Sequence, residues 1–568
     1  MKKIIYFLTI CSTLLLVSCN EDFLDRTPLD EISEPEFWKT TSDLELYANS
    51  FYNKLPGWSG SGFGSAQMPD VGTDLGLGLS APSRLQGTQG IPNSGSASLW
   101  SWDEVRLVNY FVSNVSKAEG LEVEINQFTG EGYFFRAYFY YDLLKKYGDL
   151  PIYDAYFDNL DTDALYRAKS PRNEVVDFML ADLDLAISLL KPKGDLSSPR
   201  VSKEAAQLLK AGIALYEGTW EKYHNGTEFG VSGSDGSSFL QQAAAAAKDL
   251  IDGQTRSLNA SYGDLFNQTN LSANNEIILW RQYDFVGLGN SFGNDSQISW
   301  PNNFSYSRDA IRSYLCTDGL PISVSGDYKG DTELATIETN RDPRLAATIM
   351  VPGDTTVVNI NGSIVYWEEP ALDKSVGAYE SQKYRIPEID AGVNNFTKDA
   401  AKIIMRYGEA LLIYAEAKAE LGTISQEDLD MSINKLRDRV NMPHLVLGAI
   451  TVDPEWPDYG YALSDVLQEI RRERVVELMN EGFRLDDLMR WGAHNLFVNK
   501  RPRGAYYEAL ISNVSAGEPV DVDNYLDPYL NDIATGYQFN PDRDYLLAIP
   551  AEELVLNTNL TQNPGWDQ

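Results

Sequence analysis

Gly130-Glu131-Gly132-Tyr133-Phe134-Phe135-Arg136-Ala137-Tyr138-Phe139-Tyr140-Tyr141 runs on to Tyr147-Gly148-Asp149-Leu150-Pro151. Glu131 to Tyr147 reads as a helix, and Gly148 suits the left-handed residue that closes one. Apolar and aromatic side chains go nearly all the way round its axis. A helix of that kind is buried by other helices, so the chain is expected to be built helix on helix.

Further helical periodicity lies on both sides. Asp43 to Lys54 is one segment, with Thr41 or Ser42 as its cap. Asp103 to Glu119, Pro171 to Leu190, Ser202 to Tyr223 and Ser238 to Asp252 follow. Late in the chain come Asp399 to Leu421, Gln426 to Val440 and Ser464 to Arg490. In Ser170-Pro171-Arg172-Asn173-Glu174 the serine is placed to cap, the proline suits the first helical position, and Glu174 nearly completes a capping box. The segments pair through short connections. Ala137, Ala211, Ala214, Ala410, Ala415 and Ala417 would let neighbouring backbones approach. Helix pairs with small residues at set positions follow the logic of tetratricopeptide repeats.

The expected fold is therefore mainly α, a TPR-like helical-pair scaffold with long irregular loop-rich insertions and short β-hairpins. Residues 56–99 are rich in Gly, Ser and Pro. Residues 256–398 mix short β-like runs, Glu276 to Tyr283 and Thr355 to Tyr366, with Asn, Gly and Pro. The chain divides into a leader at 1–18, an N-terminal helical region at 19–255 carrying the loop 56–99, an irregular region at 256–398, and a C-terminal helical region at 399–568. Loops this long in a compact protein tend to carry function.

The 568 residues are 43% hydrophobic and carry a formal net charge of -35. That apolar content sustains a core and argues against wholesale disorder. The acidic surface repels phosphate backbones, so nucleic acid is not an expected partner. Lys2 and Lys3 precede an apolar run, Ile4 to Leu16, that is too short to span a bilayer and has the length of a signal core. It ends in Leu16-Val17-Ser18-Cys19, which resembles a bacterial lipobox. Cleavage before Cys19, acylation of that residue and a lipid-anchored protein are expected. Cys11 would leave with the leader and Cys316 would stand alone, so neither a disulfide nor a cysteine metal site is expected. The acidic start Asn20-Glu21-Asp22-Phe23-Leu24-Asp25 resembles the surface-export signal of Bacteroidetes lipoproteins. It points to the outer membrane and the cell surface.

Catalytic patterns are weak. His224, His444 and His494 are far apart, show no HExxH spacing, and are expected to be unrelated. Gly289-Asn290-Ser291-Phe292-Gly293 imitates a nucleophile elbow without the helix that must follow it. Gly76-Leu77-Gly78-Leu79-Ser80-Ala81 imitates a dinucleotide fingerprint without its strand and helix. Asp158 to Asp163 lacks the loop glycine and the final glutamate of a calcium loop. Carboxylates abound, but no acid–base pair stands out. The charged run from Glu469 to Arg490 is expected to be a salt-bridged lattice along one helix. No catalytic residue, metal or cofactor is expected.

Seven blocks carry a family resemblance. Gly130 to Pro151, Arg167 to Leu190 and Val201 to Tyr216 resemble the SusD/RagB family. Asn340-Arg341-Asp342-Pro343-Arg344-Leu345 and Met405 to Leu412 follow in the family's order. Glu473 to Arg490 with Trp491-Gly492, and Leu547 to Pro550 with Gln562 to Trp566, complete the match. The resemblance implies a helical base packed on a SusC-like TonB-dependent outer-membrane transporter. It also implies a variable face that binds ligand and no catalysis. A glycan ligand is expected. A peptide, as in RagB-like members, is the alternative, and a surface glycoside hydrolase or lyase is the more distant one.

Sugars present C–H faces edged by hydroxyls, and aromatic rings with nearby polar groups grip them. Ligand contacts are expected at Trp58, Asp74, Arg84 and Trp100 in the first irregular segment. In the second they are expected at Trp280, Tyr283, Trp300, Asn303 and Tyr306, with Tyr384 and Arg385. Trp100 and Trp300 lead this set.

Overall fold

The computed structural model describes residues 37–58, 69–158, 161–284, 304–358, 361–372, 375–387, 400–510 and 519–567. Cys19, the Gly289–Gly293 pattern, Trp300 and Asn303 lie outside the described residues.

Ten helices of seven residues or more are present among the described residues: α1 Thr41–Tyr52, α2 Asp103–Asn114, α3 Glu122–Tyr147, α4 Arg172–Leu189, α5 Lys203–Tyr223, α6 Ser237–Asp252, α7 Tyr407–Glu420, α8 Ile433–Arg439, α9 Asp465–Glu477 and α10 Arg484–Arg490. Strands are few and short: β1 Gly76–Leu77, β2 Ile277–Arg281, β3 Ser305–Tyr306, β4 Thr355–Val358, β5 Ile364–Tyr366 and β6 Lys402–Arg406. The fold is mainly α, as the periodicity indicates.

The helix that opens the sequence reading is α3, and it begins earlier than expected, at Glu122. Phe134, Phe135, Ala137, Phe139, Tyr140, Leu143 and Leu144 are buried along it, and Gly148 closes it with φ 71°. It packs against α1, α2 and α4; α5 joins α4 to α6, and α7 packs on α5, α6 and α9. One apolar core thus runs from Trp38 to Leu560 through both helical regions. Small residues let α5 and α6 close up. A Cβ on Gly236, at φ 75°, would lie 1.9 Å from the Gly218 carbonyl oxygen, where no side chain fits.

Several boundaries differ from the sequence reading. Thr40, not Thr41 or Ser42, caps α1, in a capping box with Asp43. Ser170 does not cap α4; its backbone pairs with Leu150, and Asp149 accepts the Arg172 N–H at 2.9 Å instead. Ser202 does cap α5. Lys402 to Arg406 is a strand rather than the start of a helix. It pairs antiparallel with β2, with Ile277 opposite Arg406 and Arg281 opposite Lys402. Tertiary pairing here overrides helical periodicity. Residues 426–440 split into Gln426–Asp430 and α8, because Ser432 takes a non-helical ψ of -92°. Residues 464–490 split into α9 and α10 because Asn480 and Gly482 adopt φ 60° and 90°. Asp70 holds that break open by accepting the N–H of Asn480 at 2.6 Å and of Gly482 at 3.1 Å. The β-like runs become β2 and a hairpin of β4 with β5. Gly76-Leu77 is a strand paired with Ser305-Tyr306.

The charged run is a lattice, but between elements rather than along one helix. Glu477 accepts from Arg344 at 3.0 Å, Arg406 at 2.7 Å and Arg439 at 2.5 Å. Arg471 meets Glu420 at 3.0 Å, Arg474 meets Asp487 at 2.8 Å, and Arg490 meets Glu416 at 2.6 Å. The side chains of all these residues are nearly or fully buried. Among the described residues no helix is long and apolar enough to cross a membrane.

Candidate functional site

Two residues expected to hold ligand, Trp58 and Tyr384, meet edge to face with ring centroids 5.4 Å apart. Trp58 is fixed from three directions. Its backbone N–H donates to the Tyr283 hydroxyl at 3.0 Å, its indole N–H donates to the Ala400 carbonyl at 3.0 Å, and Lys402 Nζ lies 4.6 Å from its ring centroid. Positions far apart in sequence, 58, 283 and 400, are tied together at this point.

Trp58 and Tyr384 line a cavity of about 320 Å³ together with helical-core residues. Tyr138, Tyr141 and Lys145 of α3 reach it, as do Leu208, Gly212 and Tyr216 of α5. β6, Glu409 of α7, and Phe483 and Asp486 beside the α9–α10 break complete it. Helical spacing explains the α3 contribution: residues 138, 141 and 145 fall on one stripe.

The charges around the cavity are uneven. Lys145 Nζ pairs with Asp486 at 2.8 Å and lies 4.8 Å from the Tyr141 ring centroid. Burial raises the Glu409 carboxyl to about 7, although Arg474 and Arg406 pull it down. Glu409 forms no hydrogen bond or ion pair with the described residues. Burial, with Arg281 adding to it, lowers the Lys402 ammonium to about 8. Burial would also raise Glu481, but Arg406 and Lys383 hold it below the usual carboxylate range. Rings from Trp58, Tyr138, Tyr141, Tyr384 and Phe483 therefore stand beside an ion pair and an unpaired carboxyl. This combination offers flat apolar faces and hydrogen-bonding groups to one polar, ring-shaped ligand. Among the described residues no group of three or more His, Cys, Asp or Glu side chains could hold a metal.

The other expected residues lie elsewhere. Tyr283 positions Trp58 and is itself buried. Trp280 is buried in the same apolar cluster, with Lys193 Nζ 4.2 Å from its ring. Trp100 was expected to lead as a stacking platform; it is 4% exposed and packs edge to face on Trp102 and Tyr147 in the helical core. Its ring serves the fold because α2 and α3 close around it. Arg84 donates to the carbonyls of Asp544 and Tyr545. Asp74 is held by Arg484 through two bonds of 2.8 and 2.6 Å, and it lines a separate cavity of about 400 Å³ with Trp456. Tyr306 is in β3, bonded to the Ser381 hydroxyl. Arg385 is 1% exposed, and burial lowers it to about 10. Tyr138, Tyr141 and Glu409, which line the cavity, are not among the expected residues, since their helices read as packing surfaces. The signal available was polar Asp142 and Lys145 beside the tyrosine stripe.

Residues 252–566 match the family model described as the SusD family. The chain belongs to the SusD family. Residues 98–215 also match a SusD-like model described as starch-binding associating with outer membrane. A SusD-like protein, P2, of Formosa agariphila is 27% identical over 590 residues, covering all of both chains. A SusD-like carbohydrate binding protein from Bacteroides fragilis shares the fold with a TM-score of 0.73 at 21% identity; the match covers 92% of this chain and all of that one. A crystal structure with a xylogluco-oligosaccharide matches with a TM-score of 0.61 at 17% identity, over 91% of this chain and 97% of that one. The sequence resemblance and the helical fold are thus borne out for this SusD-family member.

Proposed function

We propose that this SusD-family chain captures an oligo- or polysaccharide at the outer membrane and passes it to a SusC-like TonB-dependent transporter, with no chemistry of its own. The observation that carries this reading is the Trp58–Tyr384 cavity, with its rings and unpaired Glu409, in a chain of this family. The family description of outer-membrane association supports the location. The carbohydrate-binding relative and the oligosaccharide-bound neighbour support the ligand class.

A glycan array, followed by calorimetry on the best hit, tests the ligand. Trp58→Ala and Tyr141→Ala are each expected to weaken binding by about 1–3 kcal/mol, ten- to hundredfold, if stacking on sugars resembles stacking on bases. Tyr141 is partly exposed, so its variant retains the fold, which circular dichroism checks. Unchanged binding in both variants overturns the aromatic site, and a hit only on a peptide library favours the peptide alternative. Lipid anchoring at Cys19 is tested separately. Mass spectrometry of membrane-extracted protein should find an acylated Cys19 as the first residue; an unmodified later N-terminus refutes the anchor. Co-purification of a large β-barrel in mild detergent tests the transporter partnership.

A further inference from the structure

Two of the three histidines come together where the chain folds its C-terminal segment back on α5. His224 stacks on Trp220 with centroids 4.2 Å apart, and the Tyr545 ring meets it edge on at 4.5 Å. His494 Nδ1 lies 2.7 Å from the Tyr545 hydroxyl. Both histidines line a cavity of about 760 Å³ that shares no residue with the Trp58 cavity.

The hydrogen-bonding character of this cavity is one-sided. His224 is 2% exposed, and its Nε2 lies 2.8 Å from the Met489 carbonyl oxygen. A carbonyl only accepts, so Nε2 carries the hydrogen and Nδ1 of the neutral ring is an acceptor. Burial lowers the imidazole to about 3, so the ring stays neutral. Nδ1 has no partner among the described residues. Glu228, Asp542 and Asp567 line the same cavity and form no ion pair among the described residues. Of the donors nearby, Thr227 Oγ donates to the His224 carbonyl, the Tyr223 hydroxyl donates to Glu420, and the Tyr545 hydroxyl and the His494 ring share one bond that uses one of their two hydrogens. Among the described residues no lysine or arginine lines the space. Acceptors therefore outnumber donors on the lining, flanked by the Phe229 and Tyr545 rings.

We propose that this cavity is a second binding site, for a primary ammonium group carried on a saccharide or a side chain. An ammonium has three donors and no acceptor, so it matches a lining of free acceptors where a hydroxyl would match only in part. Aromatic faces attract the same charge. The net charge of -35 raises the local concentration of cations around the whole chain. The three carboxylates are exposed, so each contributes little alone, and the buried imidazole sets the geometry.

Calorimetry on the mature full-length chain tests it with three probes: a glucosamine tetramer, the same tetramer fully N-acetylated, and tetralysine. At least one ammonium probe is expected to bind at least tenfold more tightly than the acetylated one, and which of them does so identifies the carrier. The double variant Glu228→Gln, Asp542→Asn is expected to weaken that binding at least tenfold. Both positions are exposed, so the fold tolerates the change. Asp195→Asn removes the same kind of charge at another exposed position and should leave affinity within twofold. Three results would overturn the proposal: equal binding of the acetylated tetramer, ammonium binding that survives the double variant, or no ammonium binding at millimolar concentration.

Discussion

Glu477→Ala is expected to lower the free energy of unfolding by about 3–5 kcal/mol, the range for breaking a buried ion pair. The Glu477 carboxylate is fully buried and holds three guanidiniums at once, from Arg344, Arg406 and Arg439. Each arginine sits on a different part of the chain, so the carboxylate fastens α9 to the irregular region, β6 and α8. Removing it leaves three buried guanidiniums one carboxylate short: Arg344 keeps Asp342 and Glu473, Arg406 keeps Glu276 and Glu481, and Arg439 keeps only Glu276. That deficit in a dry interior costs more than the attraction itself was worth. Burial would raise this carboxyl, yet Arg439, Arg406 and Arg344 hold it far below its ordinary value. A depressed folded-state pKa contributes stability that is present above the unfolded value of about 4.3 and is lost as pH falls below it. Urea unfolding followed by circular dichroism should therefore show a large loss at pH 7 that shrinks towards pH 2. An unfolding midpoint at pH 7 equal to that of the parent would refute the role of Glu477 as a hub.

The legible part of the fold was whatever local periodicity decides. α4, α5 and α6 lie close to their expected spans, and α3 ends where expected although it starts earlier, because their burial pattern repeats with the helical turn. The late segments failed where long-range partners decide. Lys402 to Arg406 is a strand because Ile277 to Arg281 lies beside it. The α9–α10 break depends on Asp70, some 400 positions earlier, bonding to Asn480 and Gly482. A single window of sequence contains neither partner. The charged run misled in the same way. Opposite charges at three- and four-residue spacing read as pairs along a helix, whereas burial turns most of them outward to other elements.

The site was legible only as residue types. Aromatics in irregular segments pointed to Trp58 and Tyr384, which do meet at a cavity. The same rule pointed to Trp100, but a tryptophan next to a helix start is as useful to the core as to a ligand, and here α3 claims it through Tyr147. Tyr138 and Tyr141 reach the cavity from a helix that reads as packing, since a nearly all-apolar helix hides which of its faces is left open. His224 and His494 lie 270 positions apart in sequence, and only the folded chain brings both to Tyr545.

Glu409→Gln is expected to stabilise the chain at pH 8 by about 2 kcal/mol while weakening its hold on ligand about tenfold. Burial raises this carboxyl from 4.5 to about 7, so the folded state favours the protonated form. A raised folded-state pKa contributes stability that is present below the unfolded value and is lost as pH rises through the folded value. At pH 8 the parent holds a desolvated carboxylate with no hydrogen bond or ion pair among the described residues, and glutamine keeps its shape without the charge. At pH 5 the carboxyl is protonated and the two chains should unfold alike. A hydroxylated ligand supplies the donors that the carboxylate lacks, so the energy stored in the empty cavity returns on binding. Glutamine stores none of it and accepts with one oxygen instead of two. Thermal unfolding at pH 5 and pH 8, with calorimetry on the best glycan hit, checks both halves. A variant less stable than the parent at both pH values would mean that the Glu409 carboxylate is bonded within the fold, and the cavity would then lose its claim to be the ligand site.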